Sequence, residues 1–253
     1  MVTTLLIDGD ILVYRTAHIG TQEGFNGEKY VNERRVEAYI ESLIEGIKQR
    51  LFTKEVLIFL SGKENFRKKV VPTYKLNRKD IEKPLALDYT YEYLINHPEY
   101  MTIIEDRLEA DDLLGIYATD SDIQGVVCSI DKDLNQIPGY HYNWKNDVFY
   151  VVDSEEAYML LWRQILAGDP IDGYKGVPRI GPKKANKFLK EMAEEYEKSF
   201  TDIDFWWQTI VQFYEEHGLT EEIARENAIC AYILKNGDYD FQTKYIKTPF
   251  WEG

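Results

Sequence analysis

The chain has 253 residues, 44% of them apolar, and a formal net charge of −14, a size that suits one large domain or a domain with a smaller helical companion. Its apolar runs are too short to cross a bilayer, its two cysteines (Cys128 and Cys230) have no paired spacing, and its four histidines are scattered. These features argue against membrane insertion, a disulfide framework and a zinc site, and a monomer with buried free thiols in a reducing cytoplasm is expected.

Met1-Val2-Thr3-Thr4-Leu5 lacks the basic segment of a signal peptide, and Asp8 breaks the apolar run early, so Thr3 to Ile7 reads as a buried strand. A short helix follows from about Ile11. Val36, Ile40, Leu43, Ile44, Ile47 and Leu51 repeat at helical spacing, which predicts an amphipathic helix over 33–51. Glu55 to Leu60 is the second strand. From Ser61 to Lys83 the chain is polar and basic, with Pro72 and Pro84 as breakers, and reads as a mobile loop or as helical in part. Next come a helix over 85–96, a strand over 101–104, a helix over 109–118 and a strand over 125–130. Tyr140 to Tyr142 and Val148 to Val152 read as a pair of edge strands around a turn. Such alternation predicts an α/β fold with a mostly parallel sheet covered on both faces, whose ligands bind beyond the carboxyl ends of its strands. After residue 153 only helices are expected, over 154–167, 182–198, 205–217 and 220–236. The division is an α/β core over 1–153 and a helical region over 154–253, in which Trp206, Trp207 and Phe213 read as packing residues.

Acidic residues cluster in four places: Asp8 with Asp10, Glu109 with Asp111 and Asp112, Asp131 with Asp133, and Asp169 with Asp172. An ionised carboxylate at the end of a buried strand needs a partner. Several of them meeting at one sheet edge would repel unless a cation stood between them. Hard divalent cations, Mg²⁺ or Mn²⁺, prefer such oxygen ligands and keep several waters. Taken singly, 109–112 also fits first-turn acids that suit the helix dipole, and 131–133 fits a plain turn.

The basic residues are concentrated too. Between Gly62 and Pro84 eight basic residues face three acidic ones, and between Pro170 and Lys190 six face one, a local +5 in each. Gly176-Val177-Pro178-Arg179-Ile180-Gly181-Pro182-Lys183-Lys184-Ala185 permits a tight hairpin that leaves backbone N–H groups at a helix start. That is a seat for a nucleic-acid phosphate, with a plain interhelix turn as the alternative. It is not a Walker A loop, because Pro182 stands where the lysine should follow Gly181. Arg67, Lys68 and Lys69 beside Phe66, followed by Tyr74, Lys75 and Arg78, suit a single strand through stacking and charge together.

In this order, these stretches closely resemble the 5′-nuclease family, which takes in flap endonucleases, the 5′-nuclease domain of bacterial DNA polymerase I and the tailed-phage 5′-to-3′ exonucleases. The resemblance runs from the N-terminus to about residue 190 and is greatest to the phage enzymes. It implies a PIN-like core with a basic arch or gateway at about 62–97, and a helix-hairpin-helix in the C-terminal region. It implies a divalent-metal-dependent 5′-to-3′ exonuclease or flap endonuclease acting on duplex DNA with a free or flapped 5′ end. Removal of RNA primers from RNA/DNA hybrids, in phage DNA replication and in the host cytoplasm, belongs to the same expectation.

By the same resemblance Asp8, Glu109, Asp111, Asp112, Asp131, Asp133, Asp169 and Asp172 would hold two or more Mg²⁺ or Mn²⁺ ions. Tyr74, Lys75 and Arg78 would lie on the gateway, the latter two near the scissile phosphate. Arg67 and Lys68, with Gly176, Arg179, Gly181, Lys183 and Lys184 of the helix-hairpin-helix, would contact DNA, with K⁺ bound at that hairpin in some relatives. One departure stands out: most relatives carry an aspartate after the second strand, where this chain has Phe59-Leu60-Ser61-Gly62. Two other readings accompany this one. A PIN-type RNase would lack the 176–190 hairpin, and a non-catalytic DNA-binding member of the fold would suit the loss at Ser61.

Overall fold

A computed structural model of the chain describes residues 3–79 and 81–252. Met1 and Val2, Asp80 of the basic segment, and Gly253 lie outside the described residues. The first strand, β1 (Thr4–Asp8), is buried along its whole length, as its unbroken apolar run requires. Helix α1 (Gly9–Gly20) starts at once, because Asp8 caps it by accepting the Ile11 N–H at 3.1 Å. A small antiparallel hairpin, β2 (Thr21–Glu23) with β3 (Lys29–Val31), follows. It escapes a sequence reading because its strands are short and polar. Helix α2 (Glu33–Leu51) has the predicted bounds: Asn32 caps it, Val36, Ile40, Ile44 and Ile47 form its buried face, and Phe52 ends it in the left-handed conformation. Each such buried aliphatic side chain contributes roughly 1.5–3 kcal/mol.

The chain continues through β4 (Glu55–Ser61), the single helical turn α3 (Arg67–Val70), a 3₁₀ turn at Leu76–Arg78, α4 (Leu87–Asn96), β5 (Met101–Glu105), α5 (Ala110–Ala118) and β6 (Gly125–Cys128). A second 3₁₀ turn at Asp133–Gln136 leads to β7 (Gly139–Asn143) and β8 (Val148–Val152). The six-stranded sheet has the order β5-β4-β1-β6-β7-β8. Its β1–β4, β1–β6, β4–β5 and β6–β7 pairings are all parallel. Strand β7 is therefore internal rather than at an edge, since it donates one side to β6 and the other to β8. Tyrosines of α4 reach across to α2, Tyr89 to Glu37 at 2.5 Å and Tyr93 to Glu41 at 2.8 Å, and hold the two helices in register.

Two compact units result. The sheet unit comprises 1–64, 81–131 and 139–151, and the helical unit comprises 65–80, 132–138 and 152–253. Two short segments thus cross the division expected near residue 153, and most of the basic stretch folds with the helices. The helical unit contains α6 (Ser154–Ala167), β9 (Gly168–Asp169), β10 (Tyr174–Lys175), α7 (Pro182–Tyr196), α8 (Ile203–Glu216), α9 (Glu221–Ala231), β11 (Lys247–Thr248) and β12 (Trp251–Glu252). Trp162, Trp206, Tyr214, Phe66 and Phe250 are its largest buried side chains among the described residues. Their polar atoms are matched: the Tyr214 hydroxyl donates to the Ile165 carbonyl at 2.6 Å, and the Trp162 and Trp206 N–H groups donate to the Phe200 and Ser199 carbonyls.

Candidate active site

In the sheet unit, Asp8 closes β1 and is 1% exposed. Its Oδ2 accepts the Ser129 hydroxyl at 2.6 Å, its Oδ1 accepts the Ile11 N–H, and among the described residues it has no basic partner. Burial pushes its carboxyl up to about 7. The two hydrogen bonds pull it down, and the negative charges of Asp10 and Asp131 raise it further. Ser129 also accepts the Asp131 N–H at 3.0 Å, so one hydroxyl joins the ends of β1 and β6. Asp10, in the first turn of α1, is held by the N–H and hydroxyl of Ser61. At the start of α5, Asp112 is fully buried and accepts the Glu109 N–H at 3.1 Å, so one of its oxygens caps the helix. Glu109 and Asp111, on either side of Ala110, are partly exposed.

In the helical unit, Asp169 Oδ1 accepts the N–H of Ile171 at 2.7 Å and of Asp172 at 3.3 Å, which folds 169–172 into a turn. Asp172 pairs with Arg78 and lies 3.6 Å from Lys75 Nζ, while the Lys75 N–H donates to the Asp172 carbonyl at 2.7 Å. Asn77 Nδ2 adds a bond to the Ile171 carbonyl at 3.1 Å. The basic turn is thus fastened to the 169–173 loop. Asp133 accepts the Gln164 amide at 2.8 Å, and Gln164 is bonded in turn to Gln136, whose amide also donates to the Ala231 carbonyl at 2.7 Å. This relay steadies an acid from behind, as outer groups do around metal ligands.

Two expectations are corrected here. Arg67 does not face nucleic acid: it is 2% exposed, bonds the Tyr232 carbonyl at 2.6 Å and stacks on Phe66 with its guanidinium 4.5 Å from the ring centroid. Tyr74 is 3% exposed, with its hydroxyl 3.5 Å from Asp172, so its ring supports the turn and offers no stacking face to a base. Lys68 remains exposed.

Between α6 and α7 the chain runs through the short β9–β10 pair and then the glycine-rich segment 176–181. Gly176 is required by close approach, since a Cβ there would lie 2.3 Å from the Gly168 nitrogen. Arg179 adopts a positive φ of 65°, and its carbonyl accepts Lys184 Nζ at 3.1 Å. Gly181, Pro182, Lys183 and Lys184 are all exposed at the start of α7.

Residues 3–159 match the family described as 5′-3′ exonuclease, N-terminal resolvase-like domain. The chain belongs to this family. It is 26% identical to the exonuclease of Escherichia phage T7, over 96% of this chain and 91% of that one. It is also 26% identical to the exodeoxyribonuclease of Enterobacteria phage T3, over 97% and 92%. Among solved structures it is similar to T5 5′-exonuclease with bound zinc ions (TM-score 0.64, 19% identity, covering 91% of this chain and 89% of that one). It is similar also to a variant of the bacteriophage T5 flap endonuclease, solved as a pseudo-enzyme–product complex with DNA and metal ions (TM-score 0.61, 19% identity, 90% and 88%). The mostly parallel sheet flanked by helices, with its C-terminal helical region, is the fold of these neighbours. The chain is a 5′-to-3′ exonuclease.

In this exonuclease the strand-end acids belong to the matched region, and Ser129, Gln136 and Gln164 are supports that sequence reasoning missed. Serine and glutamine carry no charge to mark them, and their partners lie up to 121 residues away. Among the described residues no three His, Cys, Asp or Glu side chains are arranged to hold a metal ion. None of the exonuclease's described helices is long and apolar enough to cross a membrane.

Proposed function

We propose that the chain is a divalent-metal-dependent nuclease that hydrolyses phosphodiesters at the free or flapped 5′ ends of duplex DNA. One observation carries this reading: Asp8 is a buried carboxylate with two acidic neighbours and, among the described residues, no basic partner, a deficit of positive charge that a dication would fill. The acids beside it, Asp10 and Asp131, offer oxygen donors, which suits Mg²⁺ or Mn²⁺. Because no three acids among the described residues enclose one point, an ion would be held through one or two carboxylates and its own water shell, as Mg²⁺ prefers. Asp8 and Asp131, with Glu109 and Asp111, are the proposed holders in the sheet unit. In the helical unit, Asp133, Asp169 and Asp172 are proposed as ligands in their own right, and one oxygen of Asp112 stays with its helix cap.

When bound, divalent ions activate a water and stabilise the leaving oxygen during in-line attack at phosphorus. The chain's own residues supply the rest. Lys75 and Arg78, held by Asp172, present two fixed cations to a phosphate, which stabilises charge developing there. The α7 start with Lys183 and Lys184 is proposed to grip the duplex backbone, with or without K⁺ in the 176–181 turn. RNA primers paired to DNA offer the same phosphodiester and the same free end. They are proposed as a second substrate, which with phage relatives T7 and T3 suggests work in phage replication by a monomer in the host cytoplasm.

The test is digestion of a 5′-labelled flap and a blunt 5′-labelled duplex with Mg²⁺ and with EDTA. Short labelled products from the 5′ end that vanish in EDTA are expected. Cleavage that persists in EDTA overturns the metal reading, and products released only from the 3′ end overturn the polarity.

A further inference from the structure

Ser61 stands at the end of β4, where most 5′-nucleases place an aspartate, and the next position cannot carry that acid either. A Cβ on Gly62 would lie 2.2 Å from the Glu105 carbonyl and 2.5 Å from Asp106 Cα. The carboxylate at this point comes from another element. Asp8 lies opposite Phe59 in the parallel β1–β4 register, so two steps further along each chain Asp10 and Ser61 come side by side. The Ser61 N–H donates to Asp10 Oδ1 at 3.0 Å, and its hydroxyl donates to Oδ2. Ser61 is fixed in turn: its Oγ accepts the N–H of Ala110, the first residue of α5, at 3.0 Å, and its carbonyl accepts the Tyr91 hydroxyl at 3.2 Å.

A first-turn acid serving only the helix dipole would turn to its own helix or to water. Asp10 is instead clamped on both oxygens by the neighbouring strand, two residues from a buried aspartate, where like charge is unfavourable. An aspartate at position 61 would set a second carboxylate within hydrogen-bonding distance of the first. The two positions therefore accommodate one negative charge between them.

We propose that Asp10 is the carboxylate this chain uses in place of the missing strand-end aspartate, with Ser61 as the positioning residue that holds it for a divalent cation beside Asp8. The proposal deepens the metal-dependent reading above and rests on it. Asp10 is exposed and Asn is isosteric, so Asp10→Asn leaves the fold intact, which melting in EDTA verifies.

Mn²⁺ binding, followed through the free-ion EPR signal, and cleavage of a 5′-labelled duplex are measured on wild type, Asp10→Asn, Ser61→Asp, the double variant and Asp8→Asn. Asp10→Asn is expected to weaken Mn²⁺ binding about tenfold or more. Ser61→Asp alone loses binding or folds poorly, and the double variant recovers towards wild type because one charge is restored. Wild-type binding by Asp10→Asn, or a double variant no better than the worse single one, overturns the proposal. Asp8→Asn separates the two levels: if it too binds Mn²⁺ and cleaves normally, the metal-dependent reading itself falls.

Discussion

The Asp8 carboxylate costs the metal-free protein stability, and the sign of that cost with pH follows from its raised pKa. Between pH 3.8 and about 7 the folded chain holds a proton on Asp8 that the unfolded chain has released. Stability from this group therefore falls as pH rises through that window, and the full penalty is present above about 7. Asp8→Asn removes the penalty. In EDTA at pH 8 it should melt higher than wild type, by on the order of 1–4 kcal/mol in stability, while abolishing cleavage. The difference should shrink as the pH is lowered towards 5, and thermal melts of both proteins across that range check it. An Asn variant that melts lower at pH 8 would show that Asp8 is stabilised by something other than a cation. Arg67 gives the opposite case, a basic residue whose work is structural. Arg67→Ala strips the Tyr232 carbonyl of a charged donor and leaves a cavity beside Phe66, and should cost about 2–4 kcal/mol. The salt slope of DNA binding should stay unchanged, which a filter-binding series at several salt concentrations reads directly.

Elements marked by period and punctuation are legible in the sequence. Helices α2 and α6 have the bounds predicted from apolar spacing and caps, because nothing tertiary competes with those signals. The β2–β3 hairpin and the β11–β12 pair carry too few apolar residues to show a period of two. Strand β7 reads as an edge because its length and polar neighbours resemble one, while its parallel pairing with β6 is set by distant contacts. Among the site residues, acids at strand ends stand out because charge near a core is rare. The pairing of Asp172 with Lys75 and Arg78 does not, since it spans more than 90 residues. The start of α7 belongs to the legible class, and its two exposed lysines should each neutralise a DNA phosphate. Lys183→Ala with Lys184→Ala should reduce the slope of log affinity against log salt by roughly 2. An unchanged slope would remove this helix start from the DNA interface.

At the scale of the whole molecule, a net charge of −14 coexists with two stretches of local +5, so the field that DNA meets depends on which surface it meets. Phe250, in a stretch that carries no motif, closes the core of the helical unit: it is 1% exposed and its ring lies 5.9 Å from Trp162, 5.0 Å from Trp207 and 5.7 Å from Tyr232. Phe250→Ala should cost about 3–5 kcal/mol in urea unfolding. A loss below about 1 kcal/mol would mean the tail is loosely attached. That dependence was invisible in the sequence because an aromatic outside any periodic pattern gives no sign of what it covers.

The anchoring of Arg67 by Tyr232 has a consequence for synthesis. The ribosome releases Arg67 early and its partner 165 residues later, and the Asp172 that holds Lys75 and Arg78 more than 90 residues after them, so a growing polypeptide cannot fix the basic turn until both have been translated. A degradative activity assembled this late stays silent on the nascent chain.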